Sequence, residues 1–354
     1  MNKIHLIFRL IKSVFDINKV NNPRSRYHRD ARELIKIITA PYKLEDVSNI
    51  PTDTKLKMQW YMAECIYACE KFNEISGQRS TSEQRRTYLL SGALVAMCDL
   101  IIDDIEMDIE QIKLFKKPTN TDEFSDMVGK LYSSIYNTFI DALEEDVKIR
   151  TINYYELLFD AQIRSKQQFD PNLTREDADS ICKEKCGYSG LFLRSMVKGE
   201  ISTIEKDAWF EIGAFIQYCN DAQDLHKDLQ NKMRTFASTR PDIETIAKDI
   251  DKQKTIAFSL VKEIPFQKRK KDDLLFILHV MCIAIFSKLH AFTRICDYNF
   301  SFENFELKSK KEVRSKLSPL HLFRYWLPRA LNYRYEDADA PYKFKYSLTN
   351  RNLS

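Results

Sequence analysis

The sequence predicts an all-α protein, and three observations carry that prediction. The 354 residues include only 7 Gly and 10 Pro, so turn punctuation is thin. Most segments between polar breaks run far longer than a strand. The hydrophobic content of 44% is ample for a helical core.

Helices are expected at 4–15, 28–38, 54–76, 82–115, 122–144, 147–168, 174–198, 204–230, 242–262, 271–297, 303–316 and 319–334. Breaks at 21–26, 117–123, 169–175, 238–242 and 263–271 each contain Pro or a capping Asn, Asp, Ser or Thr. None is long enough for an interdomain linker, and no internal repeat or low-complexity tract occurs. The reading is one helical domain over 41–335, preceded by amphipathic and capping helices in 1–40 and followed by a tail or lid at 336–354.

The first element, residues 1–16, is basic and apolar. Arg9 and Lys12 interrupt what would be a signal-peptide core, and no small-residue cleavage site follows. Packing of residues 1–15 against the body of the protein is favoured over peripheral contact with a membrane surface. The most apolar run, Leu274–Phe286, is short for a bilayer and contains His279, so it reads as a buried core helix rather than an integral membrane segment.

The formal charge of +4 is small against 55 basic and 51 acidic side chains. Basic residues are spread along the chain, which gives no case for nucleic acid, and the cluster Lys268–Lys271 reads as a solvated loop. Eight cysteines stand without CxxC or CxxH spacing, so disulfide and zinc frameworks are not expected. Cys65/Cys69 and Cys182/Cys186 have helical spacing and read as small buried hydrophobes. A reducing cytoplasm suits this usage.

Two acidic runs set into apolar sequence carry the chemistry. Carboxylates on a buried face are costly unless they hold something. In the second run, Asn220, Asp224 and Asp228 at i, i+4 and i+8 share one helical stripe about 80° wide, on a helix whose Phe215, Ile216, Tyr218, Cys219 and Leu225 look buried. In the first run, Asp99 pairs with Asp103 and Asp104 with Asp108, each at i,i+4, and one pair is expected to face inward. Oxygen donors without His or Cys in register select a hard ion such as Mg2+ or Mn2+. Mg2+ is usually held by few carboxylates plus substrate phosphates, so the missing ligand is expected to be a diphosphate.

These residues resemble the motifs of the class I isoprenoid synthase superfamily, which includes class I terpene synthases and trans-prenyl diphosphate synthases. Leu100–Asp108 is similar to the first aspartate-rich motif in its DDxxxD variant. Asn220–Asp228 is similar to the cyclase metal motif NDxxSxxKE, with Asp224 in place of Ser or Thr and Asp228 in place of Glu. Gly213–Tyr218 resembles the GxxFQ segment of prenyl synthases, and Lys183–Leu193 their KTxxLF segment. In that segment Gly187 and Gly190 are expected to weaken the helix, as the family breaks one helix beside its site. Leu331–Glu336 resembles the Arg-Tyr pair of many cyclases. The similarity covers roughly residues 80–265.

The resemblance implies a helical bundle with a central active-site cavity and an Mg2+-dependent reaction on a linear prenyl diphosphate, farnesyl, geranylgeranyl or longer. In it Asp103, Asp104, Asp108, Asn220, Asp224 and Asp228 would hold three Mg2+ ions, or Mn2+ in their place. Asp103, Asp104 and Lys185 would be the catalytic residues, and Lys185, Lys227, Arg334 and Tyr335 would grip the diphosphate, with Lys183 and Arg194 as substitutes for Lys185. Phe192, Phe215, Tyr218 and Trp326 would line the pocket and stabilise an allylic cation. The GKRxRP segment and Arg pair that hold a second diphosphate in elongating enzymes are missing, and Lys116 and Lys117 are a poor replacement. This favours ionisation and cyclisation over chain elongation. Alternatives are a prenyl transferase, including coupling of the squalene and phytoene synthase type, and a non-catalytic acidic scaffold that binds a metal ion or a basic partner. A homodimer is compatible with either enzyme reading.

Overall fold

The computed structural model describes residues 6–7, 9–10, 12–13, 20–42, 52–104, 107–118, 124, 126–316 and 327–341. Among them the chain is helical, without strands, as the sparse Gly and Pro predict. It divides into two compact units. The first comprises 13–166 and 188–201, and the second 1–12, 167–187 and 202–354.

In the first unit, α1 (Arg26–Thr39) starts at the Ser25 cap and buries Ala31, Leu34 and Ile38. Helix α2 (Thr52–Ile75) packs on α3 (Ser82–Asp99). A capping box of Thr81 and Gln84 opens α3, which is buried on every side from Thr87 to Cys98. Such a helix needs close neighbours all round. Gly92 supplies one approach, since a Cβ there would lie 2.7 Å from the Met62 backbone nitrogen.

Helix α3 does not run on to residue 115 as predicted. It passes into a π-helical turn, Leu100–Asp104, and a new helix, α4 (Ile109–Leu114), begins at the Asp108 cap. The capping box Asp108-x-x-Gln111 is the local reason for the break. Helices α5 (Met127–Ala142) and α6 (Glu145–Ser165) complete the core with Tyr132, Phe139, Tyr155 and Phe159.

In the second unit, α7 (Arg175–Ser195) contributes its residues up to Gly187, and its last two turns belong to the first unit. The helix is continuous through Gly187 and Gly190, which corrects the expected weakening there. Gly187 serves packing instead, because a Cβ on it would strike the Phe210 ring. Gly213 on α8 (Thr203–Gln230) meets the Cys186 carbonyl in the same way, so α7 and α8 cross backbone to backbone.

Helices α9 (Ile243–Glu263) and α10 (Lys268–Ile295) follow, then the short α11 (Phe302–Glu306) and α12 (Lys310–Lys316), where one helix over 303–316 was predicted. Among the described residues, α10 alone is long and apolar enough to cross a membrane, and 72% of its most apolar stretch is buried inside the protein. Near the N-terminus Leu6 and Leu10 are buried, and Arg9 pairs with Asp272 at 2.9 Å and lies over the Phe276 ring. That apolar face is thus used within the unit. Residues 327–341 lie along α9, where Lys254 donates to the Ala340 carbonyl at 2.8 Å and Lys262 pairs with Asp339. Trp326 and residues 342–354 lie outside the described residues.

Candidate functional site

The acidic stripe lies on the last three turns of α8. Its three predicted donors are graded in burial: Asn220 is exposed, Asp224 half-buried and Asp228 only 5% exposed. The stripe thus runs from solvent into the unit. Beside it, Asp221 is 3% exposed and faces the same way as Asp228, seven residues on. Sequence reasoning matched Asp221 to a motif but gave it no role.

Asp221 is the better satisfied carboxylate. Its Oδ2 accepts from the Cys182 thiol at 3.0 Å and from the Phe236 amide at 3.1 Å, and its Oδ1 accepts from Gln217 at 2.7 Å. Burial nevertheless pushes its pKa up to about 6, against these hydrogen bonds and the nearby charge of Lys185. At Asp228, Oδ2 accepts from the Thr235 hydroxyl at 3.1 Å. Burial is the largest cause of its rise to about 7, followed by the charge of Asp221, with Asp224 adding to it. Lys227 is exposed and opposes that rise only weakly.

Two lysines of the same unit act on this acidic patch. Lys185 of α7, half-buried, feels Asp221. Lys288 of α10, also half-buried, is pulled down by desolvation and held up by Asp224. Its Nζ stands 5.8 Å from the centre of the Phe292 ring. The sequence reading missed Lys288. Its signal was a single cation within the apolar run that follows Leu274.

These residues fit a hard divalent cation. Three carboxylates on one face repel one another, and after burial the charges of Asp221 and Asp224 add to the rise at Asp228. A cation would relieve it, and the donors are oxygen atoms, as Mg2+ prefers. Asp221 is already engaged on both oxygens, which leaves Asn220, Asp224 and Asp228 as the residues to hold it. Among the described residues no three His, Cys, Asp or Glu side chains converge as a closed metal cage. Mg2+ bound by one or two carboxylates and substrate phosphates needs none.

The first acidic run lies in the first unit. Asp99, half-buried, accepts from the Tyr61 hydroxyl at 3.1 Å, and Asp103 is exposed on the π turn. Burial, then the charges of Asp99, Glu64 and Asp103, drives the Tyr61 phenol well above its ordinary range. Glu64, one turn along α2, is raised by the apolar groups around it although solvent reaches it. Lys166 donates to the Ile102 carbonyl at 2.5 Å, so a carbonyl of the irregular turn finds a partner in a side chain. Asp104 ends the turn.

Asp108 departs from its predicted place. Its Oδ1 accepts from the Gln111 amide at 2.8 Å as the α4 cap, so it starts a new helix instead of continuing the α3 run. Lys116 and Lys117 are neutralised by Asp160 and Glu156, each at 2.6 Å. Arg194 is buried in the first unit and donates to the Val197 carbonyl at 3.0 Å, a helix-end role rather than a spare diphosphate grip.

The three described residues among the predicted pocket aromatics, Phe192, Phe215 and Tyr218, are core residues. Phe192 packs with Phe139 and Tyr155 in the first unit, and Phe215 with Phe258 in the second. Tyr218 is stacked on Phe236 at 3.7 Å between ring centres, and Lys183 Nζ stands 5.9 Å from its ring centre. Arg334 is exposed. Tyr335 lies between Lys262 and Lys268, among Asp272, Glu336 and Asp339 rather than the residues of the α8 stripe. All eight cysteines are free thiols.

Fold and site together define an all-helical protein with a half-buried acidic stripe faced by lysines. Comparison of the chain with protein-family models, with curated proteins and with solved structures finds no match.

Proposed function

We propose that the protein is an Mg2+-dependent class I terpene synthase that ionises a linear prenyl diphosphate and cyclises or rearranges the allylic cation, releasing diphosphate. The observation that carries this reading is the graded stripe Asn220, Asp224 and Asp228, accompanied by Lys185 and Lys288. Buried carboxylates in need of a cation and half-buried ammonium groups in need of an anion are complementary to a metal diphosphate.

Mg2+ bound there supplies Lewis-acid neutralisation of the leaving diphosphate. Lys185 and Lys288 bind the diphosphate oxygens, and their partial burial strengthens each contact relative to water. Asp103 and Asp104 belong to the other compact unit, so their ligand role rests on the motif resemblance alone and is not assigned to this stripe. Asp108 of the same run caps α4 through one oxygen. Lys116 and Lys117 are engaged in ion pairs with Asp160 and Glu156 and lack the fork of the missing Arg pair, which favours a single-substrate reaction.

The test is incubation with geranyl, farnesyl, geranylgeranyl and longer prenyl diphosphates, with and without Mg2+ and isopentenyl diphosphate. Metal-dependent release of diphosphate with a hydrocarbon or alcohol product is expected without isopentenyl diphosphate. Turnover only in its presence would instead identify a chain-elongating transferase, and no release from any substrate would sink the enzyme reading.

A further inference from the structure

We infer that Thr235 is a positioning residue for the Asp228 carboxylate, held in register by a buried Arg240 clamp. The inference rests on the metal-diphosphate reading of the stripe and extends it to the turn that follows α8.

The turn is built to come back on the helix. Lys232 takes a positive φ of 55°, and the Met233 amide then donates to the Asp228 carbonyl at 2.9 Å. Two consecutive residues reach two carboxylates: the Thr235 hydroxyl donates to Asp228 Oδ2 at 3.1 Å, and the Phe236 amide donates to Asp221 Oδ2 at 3.1 Å. Thr235 is itself fixed, since its amide donates to Ser238 Oγ at 2.8 Å.

The clamp sits behind this turn. The Arg240 guanidinium, 4% exposed, forks onto Asp179 of α7 at 2.6 and 2.8 Å and donates through Nε to Asp249 of α9 at 2.8 Å. It lies 4.2 Å from the centre of the Phe236 ring, whose other face is stacked on Tyr218. Three helices thus fix the backbone that carries Thr235 and Phe236. A carboxylate with one oxygen engaged cannot rotate freely, so its other oxygen is presented in one direction. Partners of this kind orient metal ligands, and their loss typically weakens metal affinity by about 10–100-fold.

The experiment titrates Mn2+ into the metal-free full-length protein, by calorimetry and by the signal of free Mn2+, for wild type, Thr235→Val, Thr235→Ala and Thr235→Ser. Valine keeps the shape and removes the donor, alanine removes it without placing a methyl group against Asp228, and serine restores it. Val and Ala should bind Mn2+ about tenfold more weakly, and Ser should match wild type. Thermal melting of the metal-free variants is measured alongside, and Val or Ala must weaken binding at temperatures where both are fully folded. Unchanged affinity in both, or failure of Ser to restore it, overturns the positioning role while the metal reading stands, provided Asp224→Ala abolishes Mn2+ binding. If wild type binds no Mn2+ either alone or with inorganic diphosphate present to supply the phosphate ligands, the metal reading itself fails and the positioning role with it.

Discussion

Gly213 and the carbonyl of Cys186 meet so closely that no side chain fits between α8 and α7. The neighbour is backbone and cannot swing aside. Gly213→Ala should therefore cost stability, by about 2–3 kcal/mol on the scale of overpacked cores. Urea denaturation followed by circular dichroism measures it, and a loss below about 0.5 kcal/mol would show that the crossing is looser than drawn.

Asp221 and Asp224 should separate fold from function although they lie one turn apart. Asp221→Ala strands the Phe236 amide and removes the acceptor for Cys182 and Gln217, so its main cost is stability, about 1–3 kcal/mol. Asp224→Ala, like Asn220→Ala, removes a ligand from a solvent-reached position. Either should leave helicity intact and lower turnover roughly a hundredfold or more, since a Lewis-acid contribution is several kcal/mol. Full activity in both ligand variants would refute the stripe as a metal site.

Lys288→Met keeps the stem that packs in α10 and deletes the charge. A half-buried hydrogen bond to a charged group is worth about 1.5–3 kcal/mol, so kcat/KM for the prenyl diphosphate should drop about 10–100-fold. Lys288→Arg should recover part of it. Steady-state kinetics at saturating Mg2+ decide the matter, and wild-type kcat/KM in the Met variant would remove Lys288 from the site.

His279 on α10 supplies a pH test that is independent of the stripe. Burial, and then the charge of Lys254, lower its pKa to about 3, and the ring lies tilted against Tyr333 at 4.9 Å between ring centres with the Arg329 backbone beside it. The unfolded chain protonates this ring near pH 6.5, so between about pH 3 and 6.5 it binds more protons than the folded state. Stability from this group is complete above about pH 6.5 and is lost as pH falls. Asp221 and Asp228, raised on folding, slope the opposite way between about pH 4 and 7. The difference between wild type and His279→Gln isolates the histidine: the variant should lose about 1–2 kcal/mol less between pH 7 and pH 5. Parallel melting profiles would contradict the buried neutral ring.

Much of the helix pattern was legible because it depends on local spacing. The expected start at residue 82 coincides with that of α3, and the long apolar run after Leu274 lies in α10. Asp108-x-x-Gln111 carried an equally local signal for a helix start, yet it was read as part of a metal motif, so α3 was extended through it. Gly187 and Gly190 show the opposite difficulty. A glycine can loosen a helix or admit a neighbour, and only the Phe210 ring against Gly187 decides for packing.

By itself the sequence determined the all-helical class, the acidic stripe of α8 and the chemistry that such donors select. These follow from residue type and a period of about 3.6 residues, which act within one helix. Tertiary structure decided which carboxylate is buried and engaged, which lysine faces the stripe, and that Thr235 returns to Asp228. Those relations join α7, α8, α10 and the turn after α8. No periodicity within one element encodes them, because burial and hydrogen bonding are properties of the neighbours that packing supplies.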